Sequence, residues 1–171
     1  MEIILVGYMG SGKTTIGKLL AQLLNLRFLD LDAYIEEAEG TTITQLFQER
    51  GEVYFRKREI KYVTEILSQY KGYVLSTGGG APCFGDTMQK MTTTTPNTIY
   101  LKASIDTLTD RLKSEREHRP LLSNASDAEV REYIAKHLFE RSFFYNQAAL
   151  KVLVDDKLPT AIVAEIKSLL V

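Results

Sequence analysis

The residues best equipped for chemistry stand near the start of the chain: Gly7-Tyr8-Met9-Gly10-Ser11-Gly12-Lys13-Thr14. The spacing G-x-x-x-x-G-K-[ST] suits a polyphosphate. Glycines let successive backbone N–H groups turn inward on an anion, the lysine reaches the β- and γ-phosphates, and the hydroxyl ligates Mg²⁺. Lys13 and Thr14 fill the last two roles here. The apolar run Ile3-Ile4-Leu5-Val6 precedes the loop, and Ile16, Leu19, Leu20, Leu23 and Leu24 recur at helical spacing after it. Strand, glycine loop and helix are the context the motif needs, which disfavours a plain connecting turn.

Other candidates lie further along. Arg27 to Asp32 reads as a short second strand, and alternation along a strand sends Asp30 and Asp32 to one side. Following a first βα unit, that side opens at the carboxyl ends of the strands, where open parallel sheets bind ligands. The competing reading has one aspartate capping a helix over Ala33 to Glu39. Thr77-Gly78-Gly79-Gly80 follows a strand at Tyr73 to Ser76, and three glycines in a row expose backbone that a small ligand can approach closely. That strand ends without an acid, so Asp30 is the carboxylate left to hold the waters of a Mg²⁺ ion. Two arginines interrupt apolar helical stripes: Arg56 heads Ile60, Val63, Leu67 and Tyr70, and Arg141 sits among Val130, Ile134, Leu138 and Tyr145. Such a pair can hold a planar carboxylate or a phosphate, with Glu59 orienting Arg56. Stems that pack while their heads reach water are the alternative.

The elements that must position these groups alternate along the chain. A threonine-capped helix begins near Ile43, with a second helical start at Gly51-Glu52. A short helix is expected over Asp86 to Met91, a polar loop over Thr92 to Asn97 and a fourth strand over Thr98 to Leu101. A helix from Ser104 or Asp106 leads into the most polar stretch, Lys113 to Asn124, which reads as a mobile flap able to exclude water and deliver charge late. Ser126-Asp127-Ala128-Glu129 is a capping box opening the longest helix, Leu150 to Val154 is a fifth strand, and Pro159 begins a terminal helix. Strands alternating with helices make a three-layer α/β/α domain with a five-stranded parallel sheet. His118 reads as solvated, His137 as packed against its helix neighbours, and Cys83 as inert packing with no histidine base nearby in sequence.

Composition narrows the class. With 171 residues, 44% apolar and 25% charged, the chain fits one soluble domain, residues 1–171. The 21 basic and 22 acidic residues are well mixed and sum to a formal charge of -1, so neither nucleic acid nor an anionic membrane is an expected partner. The single cysteine rules out an internal disulfide and a cysteine metal cluster. The opening apolar run is too short for a signal peptide and no stretch approaches a membrane span, so a cytoplasmic protein is expected.

Together these residues resemble the shikimate kinases, a family with the nucleoside-monophosphate-kinase-like P-loop fold. Besides the phosphate loop, the resemblance rests on Phe28-x-Asp30-x-Asp32, Gly51-Glu52 with Phe55-Arg56-x-x-Glu59, and Thr77-Gly78-Gly79-Gly80. Arg119-Pro120-Leu121-Leu122 and Arg141 with Tyr145 and Ala148 complete it, in the family's order over nearly the whole length. The resemblance implies transfer of the ATP γ-phosphoryl group to the 3-hydroxyl of shikimate, within aromatic amino-acid biosynthesis, with Mg²⁺ as cofactor and a monomer as the working form. It implies an ATP site of Gly10, Ser11, Gly12, Lys13, Thr14 and Thr15 with Arg111 and Arg119, where Arg111 touches adenine unless Arg116 does so instead. The metal falls to Thr14 and, through water, Asp30. Asp32 binds the ring hydroxyls, Arg56 and Arg141 the carboxylate, and Gly78, Gly79 and Gly80 the ring. Lys13, Asp32 and Arg119 are then the catalytic set, with a lid over about residues 111–125 and a shikimate-binding helical region over about 32–60. A gluconate or nucleotide kinase would share Lys13 and Thr14 but need other acceptor residues. A guanine-binding switch would need an Asn-Lys-x-Asp stretch, which is absent.

Overall fold

Ile3, Ile4, Leu5 and Val6 have no exposed surface at all, because β1 (Glu2–Val6) is the central strand of a sheet covered on both faces. The computed structural model describes residues 1–115 and 123–171. Its five parallel strands run in the order β2-β3-β1-β4-β5, where β2 is Arg27–Asp30, β3 Tyr73–Ser76, β4 Thr98–Lys102 and β5 Leu150–Leu153. Helices α1 (Lys13–Leu24), α2 (Leu31–Glu39), α3 (Ile43–Gln69), α4 (Thr87–Thr94), α5 (Ile105–Ser114), α6 (Asp127–Tyr145) and α7 (Pro159–Leu169) connect and cover them. Register pairs Asp30 with Ser76 and Ser76 with Leu5. The end of β2, the glycine run after β3 and the phosphate loop after β1 therefore leave the sheet at one level, on its carboxyl edge.

The structure departs from the sequence pattern at several points. β2 stops at Asp30 and α2 starts at Leu31, so Asp32 lies in the first helical turn rather than on the strand. Asp30 is the cap: its Oδ1 accepts the Ala33 N–H at 3.2 Å, which satisfies one of the donors that a helix start leaves open. The polar stretch Thr92-Thr93-Thr94 extends α4 instead of forming a loop, because each hydroxyl donates to a carbonyl one turn back, at Met88, Gln89 and Lys90. On α3 the buried line runs through Phe55, Glu59, Tyr62, Val63 and Ile66, which leaves Arg56 at its margin. Residues 111–114, assigned to the lid, are the last turn of α5, while residues 116–122 lie outside the described residues.

Two devices fix the helices that carry acceptor-side residues. Gly51, at φ 80°, breaks α3 and lets the segment with Arg56 set off in its own direction. At the end of α2, the carboxylate of Glu39 accepts from Arg58 Nε at 2.5 Å, the Tyr62 hydroxyl at 2.6 Å and the Tyr54 hydroxyl at 3.2 Å, locking α2 onto α3. Among the described residues, no helix is long and apolar enough to cross a membrane.

Candidate active site

The phosphate loop turns on Gly7, Gly10 and Gly12, with φ of 148°, 81° and 99°, conformations that a side chain would strain. A Cβ on Gly7 would also lie 2.8 Å from the Leu101 carbonyl oxygen. Lys13, only 8% exposed, donates from Nζ to the carbonyls of Gly7 (2.7 Å) and Tyr8 (3.0 Å), which holds its ammonium over the loop. The Ser11 hydroxyl is buried with no protein partner, an orphaned donor inside an anion-binding turn. At the start of α1 the Thr14 hydroxyl donates to Asp30 Oδ2 at 3.1 Å. One carboxylate thus caps α2 with one oxygen and meets the phosphate-loop threonine with the other. Arg111, from α5, donates to the Gly10 carbonyl at 2.9 Å and lies across the loop.

Opposite the loop, four side chains from three helices converge on the glycines after β3. A Cβ on Gly78 would lie 3.1 Å from both Asp32 Oδ1 and Glu59 Oε2, and one on Gly79 would lie 3.5 Å from Arg141 Nη1 and 3.3 Å from the Met9 nitrogen. At Gly80 the space is already taken, with Arg56 Nη1 and Nη2 both 2.6 Å from where a Cβ would stand. The three glycines therefore pack side chains from α2, α3 and α6 against one stretch of backbone. Arg56 donates to Glu59 at 2.7 Å and stacks over Phe84 at 4.2 Å. The Tyr145 hydroxyl donates to the Gly79 carbonyl at 2.5 Å and pins the loop to α6.

Desolvation raises the pKa of both acids, although only Glu59 is buried and Asp32 keeps much of its surface open to the cavity. Asp32 is pushed up by desolvation first and by Asp30 second, with Lys13 opposing. Glu59, 2% exposed, is pushed up by desolvation against the pull of Arg56. Cys83 beside the glycines is raised by burial to about 11, too high for a thiolate nucleophile near neutral pH, in line with a packing role.

A cavity of about 550 Å³ joins the two halves, its walls including Lys13, Thr14, Asp30, Asp32, Gly79 and Arg111. Ser11, Gly12 and Thr15 also line it; Arg56, Gly80 and Arg141 do not line the cavity itself, and the two guanidinium groups lie against Gly80 and Gly79. Arg116 and Arg119 lie outside the described residues. Sequence reasoning missed Phe84, which supports Arg56, and Lys157, which reaches the cavity wall from the turn before α7. Neither stands in a motif; only tertiary proximity reveals them.

The family model described as shikimate kinase matches residues 9–171. The chain belongs to the shikimate kinase family. A shikimate kinase of Flavobacterium psychrophilum is 45% identical over 169 residues, covering 99% of this chain and 98% of that one. Among solved structures, shikimate kinase from Bacteroides thetaiotaomicron superposes with a TM-score of 0.91 at 40% identity, covering 99% of this chain and 97% of that one. Shikimate kinase from Acinetobacter baumannii, solved in complex with shikimate, gives 0.85 at 32% identity, covering 98% and 91%. Membership makes this chain a kinase that uses ATP, and the five-stranded parallel sheet is that of the family's P-loop kinase fold.

Proposed function

We propose that the protein transfers the γ-phosphoryl group of ATP to the 3-hydroxyl of shikimate, giving shikimate 3-phosphate and ADP. The observation that carries this reading is the gathering of Asp32, Glu59, Arg56 and Arg141 on one glycine loop that faces Lys13 across the cavity. That gathering offers a hydroxyl acceptor on one side and cations for a carboxylate on the other. In the reaction a bond forms between the acceptor oxygen and the γ-phosphorus, the bond from that phosphorus to the β,γ-bridging oxygen breaks so that ADP departs with the oxygen, and the hydroxyl proton is released to solvent.

Each residue then has a role. Gly10, Ser11, Gly12, Lys13, Thr14 and Thr15 cradle the phosphates, with the orphaned Ser11 hydroxyl free to donate to one of them. Lys13 stabilises charge on the transferring group, and Arg119, assigned from its Arg-Pro-Leu-Leu context, adds to it from the lid. Arg111 lies against adenine. Asp32 accepts the hydrogen bond of the attacking hydroxyl and aims its oxygen, while Arg56 and Arg141 hold the carboxylate and Gly78 to Gly80 line the ring. Transfer through a loose transition state asks for this positioning more than for strong base assistance.

The residues also fit Mg²⁺. Thr14 and Asp30 present oxygen ligands 3.1 Å apart at the cavity, and among the described residues no group of three or more His, Cys, Asp or Glu side chains could hold a metal. Such a sparse set suits an ion that keeps several waters and takes phosphate oxygens. When bound, Mg²⁺ supplies charge neutralisation at the β- and γ-phosphates. The protein works on small molecules as a monomer without nucleic acid. A coupled ADP-release assay offering shikimate, gluconate and nucleoside monophosphates in parallel tests the reading: Mg²⁺-dependent release with shikimate alone is expected. Folded, ATP-binding protein that ignores shikimate would overturn it.

A further inference from the structure

Arg141 reaches the glycine loop from the far end of the chain; among the described residues its guanidinium has no ion pair, and it lies over the Tyr8 ring and hydrogen-bonds the Tyr145 side chain one turn on. We propose that Tyr8 and His137 are positioning residues that hold Arg141 in its carboxylate-binding orientation, tying the acceptor site to a side chain of the phosphate loop. The inference rests on the reading of Arg141 given above.

Tyr8 is 1% exposed although it sits in the middle of the phosphate loop. Its ring lies 5.8 Å from the Arg141 guanidinium carbon, within the range in which an aromatic face attracts a cation. The ring is held in turn: its hydroxyl meets His137 Nδ1 at 3.2 Å, and the two rings are 6.2 Å apart at 55°. The imidazole is backed by Tyr133, one turn earlier on α6, at 4.2 Å between ring centroids. Tyr133, His137 and Arg141 therefore follow one another at four-residue steps on α6, and Tyr8 meets the last two from outside the helix. Burial and the Arg141 charge both push the His137 pKa down, so near neutral pH the imidazole is uncharged and does not repel the guanidinium.

Position explains what the stack could achieve. Gly79 stands between Arg141 Nη1 and the Met9 nitrogen, so Arg141 lies where the glycine loop and the phosphate loop come together. An arginine loses much rotamer freedom when it is fixed, and a ring seat that restricts it beforehand lowers what ligand binding has to supply. The predicted consequence is selective: without the seat, the acceptor's carboxylate is held less well while the nucleotide is hardly affected.

Three variants test this: His137→Ala, Tyr8→Leu and Tyr8→Phe, each titrated with shikimate, with ATP and with an acceptor analogue that lacks the carboxylate. His137→Ala should raise the KM for shikimate about threefold while the KM for ATP and kcat change less, and Tyr8→Leu should raise it further, about five- to tenfold. Tyr8→Phe keeps the ring and should restore most of the affinity lost in Tyr8→Leu. Affinity for the analogue should be the same in all proteins. Should Tyr8→Leu fail to fold, His137→Ala on the half-buried side of α6 carries the test alone. Unchanged shikimate affinity, equal losses for shikimate and the analogue, or a fall in kcat alone would overturn the proposal. A wild-type protein inactive on shikimate would instead overturn the reading beneath it.

Discussion

The two halves of the cavity are built on different plans. The phosphate half comes mostly from eight contiguous residues, Gly7 to Thr14, and works largely through backbone geometry and one buried lysine. The acceptor half draws Asp32 from α2, Arg56 and Glu59 from α3, Arg141 from α6 and the glycines from the turn after β3. A contiguous loop brings its own geometry wherever a strand and helix flank it. A site assembled from three helices depends on every contact that sets their angles. Changes on the acceptor side should therefore alter shikimate use while leaving ATP binding intact, and the effect should shrink with distance from the ring.

The largest effect is expected from Asp32→Asn, which keeps size but removes the charge that aims the attacking hydroxyl. Turnover should fall on the order of 10²- to 10³-fold while ATP affinity barely moves. In the proposed role Asp32 works ionised, and desolvation in the cavity wall together with Asp30 raises its pKa above the ordinary 3.8. The acid limb of the kcat profile should thus lie at higher pH than an exposed aspartate would give, and the asparagine variant should lose that contribution. Equal damage to ATP binding would dissolve the distinction between the halves.

Much of this contrast was legible in the sequence, for a physical reason. The phosphate loop, the threonine cap before Ile43, the capping box at Ser126 and the alternation of strands with helices are local codes, and all of them are present; at Thr42 the cap is completed into a box by Gln45. Where two local codes competed, pattern alone misjudged the outcome. Asp30 satisfies both strand alternation and helix capping, and capping won, which moved Asp32 onto α2. The threonines after Met91 look like a loop because of their composition, yet their hydroxyls can pay back the helix they were expected to end. Two arginines on apolar stripes pointed toward a site, but nothing in either helix reveals that both meet the same three glycines, or that Phe84 and Tyr8 lie against them.

An intermediate effect is expected from Gly80→Ala. The backbone there has φ -86° and ψ -19°, which alanine adopts freely, so strain is not at issue. The added methyl would meet Arg56 Nη1 and Nη2 at 2.6 Å, and the tip of a flexible side chain yields more readily than a loop. Displacing that tip removes a charge-assisted contact to the acceptor, worth about 1.5 to 3 kcal/mol, or roughly ten- to a hundredfold in the KM for shikimate. The KM for ATP should hold. An unchanged shikimate KM would remove Arg56 from the acceptor site.

The smallest effect, and the sharpest probe of how far the acceptor half extends, is Glu39→Gln. Glu39 lies at the opposite end of α2 from Asp32, seven residues on and so about 10 Å away along the helix. Its carboxylate, 8% exposed, accepts from Arg58, Tyr62 and Tyr54. The amide oxygen of glutamine can still accept from the tyrosines, so the loss is mainly the ionic character of the Arg58 bond, about 1 to 2 kcal/mol of stability. The hydrogen bond from Tyr62 and, beyond it, those from Arg58 and Tyr54 lower the Glu39 pKa in the folded protein. A carboxylate with a lowered folded pKa stabilises above its unfolded value, ordinarily 4.5, and loses that contribution as pH falls through the folded pKa. The difference in Tm between wild type and variant should accordingly be full near neutral pH and close as the solution is acidified below about 4.5. Shikimate KM should rise less than about threefold, since the lock restrains the helix end remote from the acceptor. A tenfold rise would mean that α2 transmits its far-end packing to Asp32 as a rigid lever, and the acceptor half would then reach well beyond the residues that touch the ring.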